Sequence, residues 1–267
     1  TQLPALTGDP RSVEIFHGLY IGLTADTAQI TEMVDLYRRL FPRTVGFKMY
    51  AGHSTGRIGI VRTSDQLRVW RALAECDYRG VVAVHAERED VLRPEIPDSP
   101  GRYVHGDRRP VLAESSSVQT QLALAEAAGF RGTLHLCHVS SADAADLIIR
   151  ERSAVPFVLT AGVTPHHALL DRETIFARRS GERDDSFRHL RGDVSNGLDP
   201  FRTGNRSHRR GGNAPGDPNT PVEKIEPEQA FAVNPPLRSP ADRRTLFNLL
   251  RTGELGWIES DHAPHRV

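Results

Sequence analysis

Six short apolar runs recur along the chain, at 17–23, 45–50, 81–87, 133–139, 157–163 and 256–261. They are rich in Val, Ile, Leu and Phe and alternate little between apolar and polar residues. Strands buried on both faces of a parallel sheet read this way. Helix-like segments lie between them: 30–41, 67–76, 118–128, 142–149 and 240–250. Thr63-Ser-Asp-Gln66 has the form of a capping box ahead of the second. Ser239, Pro240 and Asp242 supply an N-cap, an N1 proline and a first-turn acid for the last. Regular β–α alternation predicts a parallel sheet with right-handed crossovers.

One stretch departs from this rhythm. Residues 176–230 are rich in Arg, Gly, Asn, Asp and Pro and hold few apolar side chains. We expect a mobile polar insertion within a single domain that spans 1–267.

Bulk properties exclude several classes of function. The 34 basic and 34 acidic residues cancel, which leaves no electrostatic footprint for nucleic acid. No apolar run approaches the roughly 20 residues of a membrane span. Two cysteines, Cys76 and Cys137, are too few for a disulfide framework, and we expect a reducing, cytoplasmic setting.

The polar residues that interrupt the apolar runs fall near their C-terminal ends. Lys48 lies in Val45-Gly-Phe-Lys-Met-Tyr50, and His85 closes Val81-Val-Ala-Val-His85. His138 closes Thr133-Leu-His-Leu-Cys-His138, and Asp261 closes Trp257-Ile-Glu-Ser-Asp261. In a β/α barrel those ends form the functional face. Two histidines, an aspartate and a lysine converging there make a metal-binding set. His135, between two leucines, reads as a hydrogen-bonded core residue. His53, His105, His189 and His208 read as solvated.

Lys48 is one of only two lysines, with Lys224, in an arginine-rich chain. A neutral amine can react with CO₂ to give a carbamate that bridges two cations. Arginine stays protonated and cannot. Burial lowers the cost of neutralising the amine. Gly52-His-Ser-Thr-Gly56 matches the G-x-S-x-G nucleophile elbow. However, Arg57-Ile-Gly-Ile-Val-Arg62 separates it from the next helix, and an elbow needs a helix at once.

These segments together resemble dihydroorotase, of the cyclic amidohydrolase superfamily. The resemblance rests on Gly46-Phe-Lys-Met-Tyr-Ala-Gly-His-Ser-Thr-Gly56, Val84-His-Ala-Glu87, His105 with Arg109-Pro-Val-Leu-Ala-Glu114, His138-Val-Ser-Ser141, Val163-Thr-Pro-His-His167, Asn234-Pro-Pro-Leu-Arg238 and Ser260-Asp-His-Ala-Pro-His265. It implies a TIM-type (β/α)₈ barrel with two Zn²⁺ ions bridged by carboxylated Lys48. It also implies His85 and His138 as ligands of the second metal. Asp261 would be a ligand of the first metal and the general acid/base, with Asn234 and His265 at the substrate. The implied reaction is reversible hydrolysis of L-dihydroorotate to N-carbamoyl-L-aspartate by metal-activated hydroxide, in pyrimidine synthesis. A homodimer or a complex with another enzyme of that pathway is a further implication. The neighbouring readings are a hydantoinase- or allantoinase-like amidohydrolase and a non-catalytic dihydroorotase-like scaffold.

The family's first-strand His-X-His is absent from the chain. The six strands correspond to the third through eighth of the barrel, with the first two missing. Six strands cannot close an eight-stranded barrel. We therefore expect weak or no activity from 1–267 as written.

Overall fold

The structure, a computed structural model, describes residues 17–54, 56–99, 103–173 and 232–261. It contains one six-stranded sheet, ordered β1 to β6 as in the chain, with every pairing parallel. The strands are β1 (Leu19–Gly22), β2 (Thr44–Tyr50), β3 (Val81–His85), β4 (Thr133–Leu136), β5 (Val158–Val163) and β6 (Trp257–Ile258). Sequential parallel neighbours with intervening helices form an open arc of a β/α barrel. Among the described residues, no helix is long and apolar enough to cross a membrane.

The helices are α1 (Thr27–Leu40), α2 (Thr63–Glu75), α3 (Val104–Arg108), α4 (Val111–Ala127), α5 (Ala142–Glu151), α6 (Pro165–Leu169) and α7 (Pro240–Thr252). Asp26 caps α1 by accepting from the Ala28 and Gln29 amides. Ser239 and Asp242 form the expected capping box on α7. The expected box at Thr63 does not form, because α2 starts one residue earlier in its cap position, at Arg62, which makes no side-chain cap bond. Asp65 instead binds Arg62 and Arg68.

Gln66, the other end of that expected box, is buried and donates to the carbonyls of Ala51 and Ile60 at 2.9 and 2.7 Å. Its own carbonyl accepts from Gln121, whose Oε1 accepts from Trp70 Nε1 at 2.9 Å. This buried amide relay fastens the segment after β2 to α2 and α4, and so steadies the strand that carries Lys48. Helix α4 begins seven residues before its predicted start at 118. Its first turns carry Ser115-Ser-Ser117, weak helix formers. Ser115 and Ser116 hydrogen-bond back to the carbonyls of Val111 and Leu112.

Strand alternation sorts the side chains between two layers. Phe47, Met49, Val82, Val84, Leu134 and Leu136 are fully buried with Trp70, Leu73, Val118, Leu122 and Ile148 of the helices. The opposite, concave face carries polar groups, among them Lys48, His85, His135, Cys137 and Thr160. The central strands are buried on both sides as their sequence predicts, but the edges are not. Leu19 and Tyr20 of β1 and Trp257 and Ile258 of β6 are exposed, because each edge strand has a neighbour on one side only. β1, β4 and β6 are also shorter than predicted. The β4 ladder stops at Leu136, and His138 takes a left-handed backbone. The 176–230 insertion lies outside the described residues.

Candidate functional site

Lys48, in the middle of β2, pairs in register with Gly22 and Ala83. Its Nζ donates to Cys137 Sγ at 3.0 Å and lies 5.2 Å from the Tyr50 ring centroid. His85 is the last residue of β3, opposite Tyr50. His138 follows β4 at φ 41°, and Asp261 follows β6 at φ 47°. Left-handed backbone costs a non-glycine residue about 1–2 kcal/mol. It persists only where the surroundings over-determine it, as at functional sites.

The two histidines form the centre of the site. Both are buried, and His85 Nδ1 lies 3.2 Å from His138 Nε2. Of the remaining nitrogens, His138 Nδ1 has no hydrogen-bond partner, and His85 Nε2 lies 3.1 Å from Glu87 Oε2. Burial, then the neighbouring His85 and Lys48, holds the His138 imidazole well below its ordinary pKa, so it is neutral at pH 7. Neutral imidazoles are what a metal requires. Two nitrogens bound to one tetrahedral Zn²⁺ stand about 3.3 Å apart, so this pair fits a small divalent cation.

Lys48 behaves differently from the sequence expectation. Burial does push its pKa down, but Cys137, Tyr50 and Asp261 outweigh it and the net shift is upward. Burial alone therefore does not supply the neutral amine. Asp261 is shifted upward, by burial first, with Lys48 opposing. Lys48, His85, His138 and Asp261 thus share one electrostatic environment. Asn234 lies beside His105, with a buried Oδ1 that has no hydrogen-bond partner. His265 lies outside the described residues.

A frame of buried ion pairs supports this centre, and the sequence motifs gave its members no role. Arg109 forks over Glu87, with Nη2 at 2.6 Å and Nε at 3.1 Å from Oε2, and Nη2 also donates to the His53 carbonyl. Burial opposes ionisation of Glu87, but His85 and Arg109 bring its pKa down to about 2. Glu114 accepts from Ser140, through both its amide and its hydroxyl, and from Ser141. Burial, only partly offset by Arg238, still pushes the Glu114 carboxyl upward. Arg238 completes this frame by donating to Ser140 Oγ and the Arg109 carbonyl. His167 is buried between Thr164 Oγ1 and the Pro235 carbonyl, and burial lowers its pKa to about 3. The sequence signal for this frame was charge within apolar context, at Glu87 and Glu114.

Two of the histidines expected to be solvated are not. His105 Nε2 lies 2.9 Å from the Val233 carbonyl in a largely buried position. His53 Nδ1 accepts from the Gly59 amide. Each closes a loop internally, which loop composition does not reveal. His189 and His208 fall outside the described residues. At 52–56, Ser54 forms an isolated bridge with Gly56, and the next helix waits until Thr63. The turn is therefore not a nucleophile elbow.

Dihydroorotase of Listeria monocytogenes serotype 4a (strain HCC23) is 30% identical over 156 residues, which is 58% of this chain and 24% of that protein. Dihydroorotase of Bacillus licheniformis (strain ATCC 14580) is 29% identical over the same length and shares. Over those 156 residues the chain is similar to the dihydroorotases. It spans about a quarter of the length of these curated relatives. No family model matches. D-hydantoinase from Bacillus sp. AR9 superposes with a TM-score of 0.64 at 19% identity, covering 93% of this chain and 44% of that one. Dihydropyrimidinase from Brevibacillus agri NCHU1002 gives 0.63 at 20%, covering 93% and 43%. The chain thus shares the fold of these two enzymes, and its six parallel strands form a partial β/α barrel.

Proposed function

We propose that the protein to which this chain belongs is a metal-dependent dihydroorotase, which hydrolyses the ring amide of L-dihydroorotate reversibly to N-carbamoyl-L-aspartate. The observation that carries this reading is the facing pair His85 and His138, both buried, with His85 Nδ1 3.2 Å from His138 Nε2.

His85 and His138 would hold one divalent cation, and Asp261 with Lys48 would complete the set, Lys48 as its carbamate. Zn²⁺ suits the N/O donors. When bound, such cations polarise a carbonyl and make water a nucleophile near neutral pH. The residues then perform the proton work. Asp261 accepts the proton released as water adds to the ring carbonyl, and returns it to the departing ring nitrogen. Burial raises the Asp261 pKa, the direction a shuttle near neutral pH needs. Asn234 presents a buried, unpartnered Oδ1, an acceptor for a substrate N–H. His265 is assigned to the substrate on its sequence motif.

The setting proposed is cytoplasmic, with a small-molecule substrate and a homodimer or a partner enzyme of the same pathway. A second reading, a hydantoinase-like amidohydrolase, is favoured by the fold shared with D-hydantoinase. Assaying the purified protein with bound metal against L-dihydroorotate, hydantoin and dihydrouracil separates the two. Turnover confined to dihydroorotate is expected, and turnover confined to the other two rings overturns the first reading.

A further inference from the structure

We propose that His135, Cys137 and Glu259 form a separate cation site on the concave face of the sheet, suited to a soft or borderline divalent ion such as Zn²⁺ or Cd²⁺. One donor atom from each residue lies within 4.8 Å of the other two. His135 and Cys137 alternate onto the concave face along β4 and its end, and Glu259 reaches them from just after β6.

His135 Nε2 is 3.4 Å from Glu259 Oε2. That is long for a hydrogen bond, but it is about the edge length of a tetrahedron of nitrogen and oxygen ligands on Zn²⁺. The other ring nitrogen, Nδ1, lies 2.9 Å from Thr160 Oγ1. A hydroxyl in that place orients the ring and directs Nε2 to a metal, as outer partners of metal-bound histidines do. The other oxygen of Glu259 accepts the His138 amide, which fixes the carboxylate. Cys137 is a free cysteine and supplies the soft donor, giving up its proton as the cation binds. None of Lys48, His85, His138 or Asp261 is used, and none of them offers sulfur. The site is therefore chemically distinct from the centre described above.

The test is Co²⁺ titration of the purified, metal-stripped protein, read by the near-ultraviolet thiolate-to-cobalt charge-transfer band. The band is expected in the unaltered protein, in Cys76→Ser and in a His85→Ala/His138→Ala double variant, and it should be lost in Cys137→Ser. Co²⁺ binding without the band, or a band that persists in Cys137→Ser, overturns the proposal. Should Cys137→Ser fail to fold, Glu259→Gln serves in its place. It should weaken the Co²⁺ midpoint by about tenfold or more, the scale seen on disturbing a metal site, and an unchanged midpoint overturns the proposal. Because the readout is sulfur ligation, it is independent of whether dihydroorotate is turned over.

Discussion

His85 Nδ1 faces His138 Nε2 at 3.2 Å between two buried rings, and the far nitrogen of His85 lies 3.1 Å from Glu87 Oε2. Two imidazole nitrogens at this separation fit one small divalent cation. Substituting either ring by alanine removes a donor outright. The loss in metal affinity should exceed the ~10–100-fold range of outer-partner mutations. Competition titration with a chromophoric chelator measures it, and an unchanged affinity in both single variants would remove these residues from the metal set.

The Arg109 fork over Glu87 is a buried ion pair of the supporting frame, with a contact of 2.6 Å. Breaking such a pair from one side typically costs about 3–5 kcal/mol, because the other charge is left buried and alone. Arg109→Met should therefore lower the urea midpoint far more than substitution of the exposed Arg38, whose pair with Asp35 is solvated and worth about 0–1 kcal/mol. Equal midpoints for the two variants would show that Glu87 finds another partner.

Acid sensitivity should follow from two of these groups. Glu87 has a folded pKa of about 2, below its unfolded value near 4.3. Its contribution to stability is present above the unfolded value and is lost as pH falls through that window. His167 has a folded pKa of about 3, below the unfolded 6.5. The unfolded chain binds the His167 proton first, so stability falls as pH drops from about 6.5 toward 3. Stability measured by denaturant at stepped pH should decline in both windows. Glu87→Gln should flatten only the lower one, and His167→Asn only the upper one.

The centre was more legible in the sequence than its support. Lys48, His85, His138 and Asp261 stood out because each is polar in or at the end of an apolar run, near the strand ends that the barrel rule places on one face. The parallel order of the strands followed from the β–α rhythm. The exposed faces of β1 and β6 did not, since an apolar run cannot say how many neighbours its strand has. The left-handed backbone at His138 and Asp261 is invisible in residue identity, because neither is glycine. The Glu87–Arg109 pair and the Glu114–Ser140–Arg238 frame join residues 22 to 124 positions apart, beyond any local pattern. His105 looked solvated for the same reason, its partner Val233 lying 128 residues away.

Asp261 is assigned the proton shuttle, so its loss should act on the chemical step. Asp261→Asn keeps the shape of the side chain and removes its basicity. It should lower kcat by about 10²–10⁴-fold and leave the denaturation midpoint close to that of the parent. A solvent deuterium isotope effect on kcat, present in the parent, should also change. Equal kcat in the two proteins would assign the proton to another group.

Lys48→Arg tests the carbamate with charge held constant. Arginine keeps the positive charge but stays protonated and cannot be carboxylated. In place of a bridge between two cations it would present a fixed guanidinium that repels both. Metal analysis should then show a lower metal content than in the parent, with turnover lost alongside. A structural role for a charged Lys48 predicts the opposite. Arginine would then preserve the positive charge near Asp261, and metal content and turnover would both stay near the parent values. Lys224→Arg, in the polar 176–230 segment, is the matched control and should change neither.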